Sequence, residues 1–310
     1  NEPLATQYAK PAQQLIGAAL TSEVAWTRLS ELCDGIGHRI SGSASLESAV
    51  QWAAERMRED GLEVRLQPVM VPHWVRGEES ATMVAPRREP LEMLGLGRSV
   101  GTPEAGITAD VVVVGSFAEL NALPDEQVRG KMVLYNVPFT SYGETVKYRS
   151  AGCDSASRRG AVAALVRSVG PVSLNTPHTG ALSYKDSTVT QIPGAALTIE
   201  GCEMIARLTA RGVPVRVHLK MQAHTEDKKL SHNVIGELRG SEKPDEVVAM
   251  GGHLDSWDVG QGAHDDGGGC VISMEALRLV KELGLRPRRT LRVVLWTNEE
   301  SGLQGGQVYR

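Results

Sequence analysis

Two short segments carry most of the side chains able to do chemistry. The first runs Gly251-Gly252-His253-Leu254-Asp255-Ser256-Trp257 and on to Gly262-Ala263-His264-Asp265-Asp266-Gly267-Gly268-Gly269; the second is Thr297-Asn298-Glu299-Glu300-Ser301-Gly302. Zinc accepts imidazole nitrogen and carboxylate oxygen at about 2.0–2.2 Å. By lowering the pKa of bound water to about 7 it also provides a nucleophile strong enough to attack an amide at neutral pH. His253, Asp265 and Glu300 are a ligand set of that kind. Asp255, two residues beyond His253, is placed to accept the imidazole's other N–H and so fix its tautomer. The flanking glycines let the backbone run close to a metal without Cβ clashes. Oxygen and nitrogen donors of this type take cobalt or manganese as well as zinc.

These segments must be brought together by the elements before them. Glu246 to Met250 predicts a hydrophobic strand, and residues 269 to 283 predict an amphipathic helix through Val271, Met274, Leu277, Val280 and Leu283, ended by Gly284. Leu291 to Trp296 predicts a second strand. Strand, helix and strand in this order imply parallel neighbours. Both following loops then open at one edge of the sheet, where open α/β sheets bind ligands. Nearer the start, Leu46, Ala49, Val50, Ala53 and Met57 recur at helical spacing over residues 45 to 60, with Gly61 at the C-terminal position. Leu62, Val64 and Leu66 then alternate as in a half-buried strand.

From about Val71 to Ala223 the texture changes to short strands separated by Gly, Pro, Ser and Asn, with one or two helical patches. Asp110 to Val114, Lys131 to Asn136, Ala161 to Val166 and Ile192 to Thr198 are its clearest strands. The expected organisation is a first part over residues 1–70, a separate insert over 71–223, and the first domain resumed over 224–310. A length of 310 residues suits roughly two domains.

Composition narrows the partners. A net charge of -4 with no Lys/Arg-rich run argues against nucleic acid. Apolar runs such as Val111 to Val114 fall far short of a membrane span of roughly 20 residues. Cys33, Cys153, Cys202 and Cys270 are widely spaced, which favours free buried thiols while leaving disulfides open in an oxidising compartment. A chain that begins at Asn1 rather than Met reads as mature after loss of a signal peptide, or as a trimmed piece. The first of these implies a secreted, extracellular or periplasmic location.

Other readings of the same residues are weaker. Gly267-Gly268-Gly269 lacks the spacing of a nucleotide-binding loop and has no following Lys-Ser/Thr. Ser256 and Ser301 do not sit in a Gly-x-Ser-x-Gly elbow. Cys270 reads as a residue packed within its helix.

In order and approximate spacing, His253-x-Asp255, the Gly-Ala-x-Asp265-Asp266-Gly segment and Glu299-Glu300-x-Gly resemble the zinc exopeptidases of family M28. The phrases from Gly252 to Ala263 and Leu283-Gly284-Leu285-Arg286-Pro287 resemble its carboxypeptidase members most. The likeness is strong over residues 230 to 310 and weaker elsewhere, where it includes Gly37-His38-Arg39-Ile40-Ser41-Gly42-Ser43. It implies an α/β fold, a zinc-exopeptidase-type mixed sheet flanked by helices. Into it is inserted a β-rich domain similar to protease-associated (PA) domains, suggested by the phrases starting at Arg129, Gly160 and Ile192.

The resemblance also implies roles. His253 would bind one zinc, Asp265 would bridge two, and Glu300 would bind the second. Glu299 would act as general base, taking a proton from the bridging water and passing it to the leaving amine. The Asp265-Asp266 peptide would be cis. The family's remaining Asp and His ligands would lie beyond Arg310, since His38, His73, His178, His218, His224, His232 and His264 do not match the last ligand. This stretch alone is therefore expected to bind zinc weakly and to have little activity. The implied activity is exopeptidase cleavage of dipeptides or short peptides, of aminopeptidase, carboxypeptidase or dipeptidase type. The alternative is a non-catalytic, receptor-like homologue, in which such ligands are usually lost. By the same likeness the insert would cover the site, restrict it to short substrates and help form a homodimer.

Overall fold

The computed structural model describes residues 3–310. The helix Ala44–Glu59 starts where Ser43 Oγ accepts the Leu46 N–H at 3.1 Å, satisfying one of the amides that a first helical turn leaves unpaired. It buries Leu46, Ala49, Val50, Ala53, Ala54 and Met57, and it stops at Gly61, whose φ of +74° suits glycine. That apolar face joins Leu254, Cys270, Met274, Leu277, Val293 and Leu295 in one core. A fully buried Leu is worth about 1.5–3 kcal/mol, so this stripe, rather than helix propensity, holds the element in place.

Among the described residues, twelve strands follow in chain order: β1 (Glu63–Val75), β2 (Glu79–Ala85), β3 (Glu89–Leu91), β4 (Met93–Gly95), β5 (Ile107–Val114), β6 (Met132–Tyr135), β7 (Ala163–Arg167), β8 (Gly194–Leu197), β9 (Arg216–Met221), β10 (His224–Leu238), β11 (Lys243–His253) and β12 (Arg289–Trp296). The chain divides into two compact units. One comprises the residues up to His73 together with Asp227–Arg310, and the other is Trp74–Glu226.

The first unit holds a four-stranded sheet in the order β1-β10-β12-β11. β12 pairs antiparallel with β10 and parallel with β11, which makes the sheet mixed. The helix Gly268–Glu282 connects β11 to β12 and buries Cys270, Val271, Met274, Leu277 and Val280. The β11–β12 register runs to the pair His253↔Trp296, so both strands end level and their loops leave from one edge. β11 reaches three residues beyond the Met250 that hydrophobicity alone marks as its end, because main-chain pairing with β12 continues through Gly251 and Gly252. A Cβ on Gly252 would collide with Asp266 Oδ2 and lie 2.9 Å from the Cys270 amide nitrogen. Glycine there lets the strand end approach the helix start.

The second unit carries an eight-stranded sheet in the order β3-β2-β9-β5-β6-β7-β8-β4. β5, β6, β7 and β8 run parallel, and β9 closes antiparallel on β5 and β2. The strands at the two ends of this order, β3 and β4, are separated in the chain only by Glu92, so the sheet curls almost shut. β6 and β8 are buried at every position, as strands covered on both faces should be. All four cysteines are free and buried. No helix among the described residues is long and apolar enough to cross a membrane.

Candidate metal centre

The two loops beyond β11 and β12 bring the acids together. His253 is the last residue of β11 and Asp265 lies in the short turn Ala263–Gly267, with the Asp265–Asp266 peptide cis. Glu299 and Glu300 follow β12 by three and four residues. His253 Nε2 lies 3.0 Å from Asp265 Oδ1 and 3.9 Å from Glu299 Oε2. One ligand atom each of His253, Asp265 and Glu300 lies within 4.8 Å of the others, the one such group of three among the described residues.

The tautomer of His253 follows from its other nitrogen. Nδ1 sits 2.9 Å from the main-chain oxygen of Asp255. A carbonyl can only accept, so Nδ1 carries the hydrogen and Nε2, in the neutral ring, offers its lone pair toward the acids. The Asp255 carboxylate is farther from Nδ1, at 3.6 Å. It is engaged elsewhere: Oδ1 accepts the Glu299 N–H at 2.9 Å and Oδ2 accepts the Glu300 N–H at 3.2 Å. The tautomer is thus set by the backbone of Asp255, while its side chain holds the backbone of the glutamate pair.

Negative charge crowds this place. Burial alone would pull the His253 imidazole down, but hydrogen bonding and charge from Asp255, with the charge of Glu299, carry it up to about 10. Burial, followed by the charge of Asp265, pushes Glu300 up to about 7. Glu300 Oε1 is buried and has no hydrogen-bond partner. A buried carboxylate oxygen needs a donor or a counter-charge, and a divalent cation held jointly with His253 and Asp265 answers that need. Two donors at about 2.0–2.2 Å from a common tetrahedral zinc are themselves roughly 3.3–3.6 Å apart, so His253 Nε2 and Asp265 Oδ1, now at the hydrogen-bond distance of 3.0 Å, need only a slight side-chain separation to share a metal. The residues fit a divalent metal.

Sequence reasoning missed several residues that hold the site. Asp266 Oδ2 accepts the His253 N–H at 3.1 Å, and its Oδ1 accepts the Gly269 N–H at 3.2 Å, tying the strand end to the first turn of the following helix. Asn298, at φ +60°, donates through Nδ2 to Ser41 Oγ at 2.7 Å. Arg39 is fully buried and bonded to the loop after β11. Asn298 stood in the Thr297 to Gly302 segment without a role of its own, and the only sequence signal for Arg39 was the Gly37 to Ser43 phrase. His264, beside Asp265, is exposed and stands outside the group of three.

A family model described as peptidase family M28 matches residues 233–310. Carboxypeptidase Q from Xenopus laevis is 49% identical over 308 residues, covering 98% of this chain and 65% of that protein. The crystal structure of a peptidase M28 precursor from Shewanella amazonensis superposes with a TM-score of 0.93 at 35% identity, over 97% of this chain and 69% of that one. This chain belongs to peptidase family M28. A Bacillus subtilis zinc aminopeptidase shares the M28 fold at a TM-score of 0.66 and 23% identity, over 92% of this chain and 63% of that one. The α/β class with a mixed sheet flanked by helices, expected from sequence, is the architecture of these M28 structures. The chain spans less than two thirds of the length of the carboxypeptidase Q sequences that it matches.

Proposed function

We propose that this chain carries the metal-gripping part of a zinc-dependent exopeptidase of carboxypeptidase type, which hydrolyses dipeptides or short peptides. The observation that carries this reading is the convergence of His253, Asp265 and Glu300 at the level ends of two parallel strands. M28 membership and the name carboxypeptidase Q borne by relatives support it. His253 Nε2 and the carboxylates of Asp265 and Glu300 would hold the metal, with two zinc ions in the complete centre. When bound, zinc supplies Lewis acidity that polarises a carbonyl oxygen and makes water a better nucleophile.

The remaining work belongs to the chain. Glu299 is half-exposed, and its Oε2 faces the same nitrogen of His253 that faces Asp265. In this reading it takes a proton from the attacking water as the C–O bond forms, and returns it to the amine nitrogen as the C–N bond breaks. Asp255 keeps the backbone of Glu299 and Glu300 fixed, so the base and a ligand move as one piece. A pocket of about 320 Å³, lined by His253, Trp296, Glu299 and Leu303 among others, opens beside the base. By likeness, Trp74–Glu226 is the PA-like insert.

The test is a dipeptide-library assay on the complete polypeptide, with and without a chelator. Metal-dependent release of free amino acids is expected. Activity that survives full metal removal would sink the proposal, and metal binding without turnover of any peptide would favour a receptor-like role.

A further inference from the structure

Residues 254–262, which join His253 to the turn that holds Asp265, form neither helix nor strand. Such a stretch leaves its carbonyl groups without a ladder, and buried carbonyls must still find donors. The donors come from one side chain far away in sequence. Arg39 is 0% exposed. Its Nε donates to Leu254 O at 2.7 Å, directly after His253. Its Nη1 donates to Gln261 O and to Gly37 O, each at 2.7 Å, and its Nη2 donates to Gly262 O at 3.0 Å, three residues before Asp265. The main chain of Arg39 adds a reciprocal pair: its N–H donates to Ser256 Oγ, and its carbonyl accepts the Ser256 N–H, both at 3.0 Å.

We propose that Arg39 is a positioning residue for the metal centre, a clamp on both ends of the 254–262 loop that sets the separation of His253 from Asp265. This rests on the reading of those two residues as metal ligands. Burying a guanidinium is costly when no carboxylate pairs with it, and each of these four side-chain bonds ends on a main-chain oxygen. Packing alone would be served better by an apolar residue of similar volume. What only arginine provides is a rigid planar fork whose donors diverge far enough to reach Leu254, Gln261 and Gly262 together; a lysine ammonium is a single point. Asp255 lies inside the clamped loop, so the hold passes through its carboxylate to the amides of Glu299 and Glu300.

The test is titration of the complete polypeptide with cobalt(II), read by its visible absorption spectrum, alongside thermal melting of the metal-free protein. Arg39→Ala and Arg39→Lys are compared with Arg28→Ala, which removes another buried arginine whose partners are Asp60 and the Arg56 carbonyl, away from the loop. Loss of support around a ligand typically weakens metal affinity by about 10–100-fold. A loss of that size with a changed spectrum is expected for both Arg39 variants, and millimolar guanidinium should restore affinity to Arg39→Ala. Arg28→Ala should lower Tm while leaving affinity and spectrum as in the parent. If Arg39→Ala does not fold, Ser256→Ala gives the same readout with a smaller loss of affinity. The inference is overturned if the Arg39 or Ser256 variants keep the parent's affinity and spectrum, or if Arg28→Ala loses affinity in the same proportion to its loss of Tm. A parent chain that binds no cobalt through His253 would overturn the ligand reading itself, and this inference with it.

Discussion

Asp255 holds Glu299 by its main chain: Oδ1 accepts the Glu299 N–H at 2.9 Å, although 44 residues separate them. Asp255 is fully buried, and its second oxygen is spent on the next amide along. Both acceptor positions face N–H groups. An Asp255→Asn substitution must therefore point an NH2 at one of those donors. The expected result is a loss of about 1–3 kcal/mol of stability, the cost of leaving a buried hydrogen-bonding group unsatisfied, measured by urea denaturation. Metal affinity should fall by about tenfold in parallel.

Glu299→Gln removes a proton acceptor while preserving size. In the complete polypeptide kcat should fall by roughly 10²–10⁴-fold, the usual worth of general acid–base catalysis. Metal content measured by elemental analysis should stay at the parent level. Loss of metal along with activity would make Glu299 a ligand instead of a base.

Metal should stabilise the first unit by mass action. At free zinc a hundredfold above Kd the gain is about 2.7 kcal/mol, visible as a rise in Tm that a chelator reverses. His253→Ala and Glu300→Gln should each abolish most of that rise. If the increment persists in both variants, the metal binds elsewhere.

Acid stability should report on a different acid. Burial works to raise the Glu275 carboxyl, but hydrogen bonds from Arg278 and Ser22 outweigh it and hold the group below its ordinary value of 4.5. The unfolded chain thus binds the proton more readily. The stabilisation is present above the ordinary value and is lost as pH falls through the lower folded one. Glu275→Gln should be less stable than the parent at neutral pH, and the two should converge in acid. A difference that does not change with pH in urea titrations would contradict this.

Gly252→Ala should destabilise the protein by about 1–3 kcal/mol, as overpacking does, because the added methyl displaces the Asp266 carboxylate from the His253 amide. Faster hydrogen exchange at the His253 N–H would reveal it.

Local pattern made much of this architecture legible. The stripe from Leu46 to Met57 gave the helix to within a residue at each end, and the apolar runs gave β11 and β12 as parallel neighbours. What escaped was whatever depends on a partner distant in sequence. β1 continues to Val75, well past the alternating residues that mark its start. The near-closure of the second sheet through Glu92 leaves no trace in composition or period. At the site, residue types and spacing brought out the acids, because metal chemistry needs those types. The division of labour at Asp255, with carbonyl to imidazole and carboxylate to the glutamate amides, is fixed by loop geometry. Arg39 was hidden because a buried arginine bonded only to carbonyls has no charge partner to search for.

The helix Ala44–Glu59 shares its core with Val293 and Leu295 of β12, across a chain separation that contains the whole of Trp74–Glu226. Contacts this remote in sequence slow folding. At a synthesis rate of about 5–20 residues per second, the early helices emerge and wait for tens of seconds with an apolar stripe uncovered before β12 exists to receive it. The intervening unit can fold while they wait. A nascent chain of this kind is exposed to aggregation from the segment that carries this helix, over an interval that closes only after His253 and Asp265 have been made.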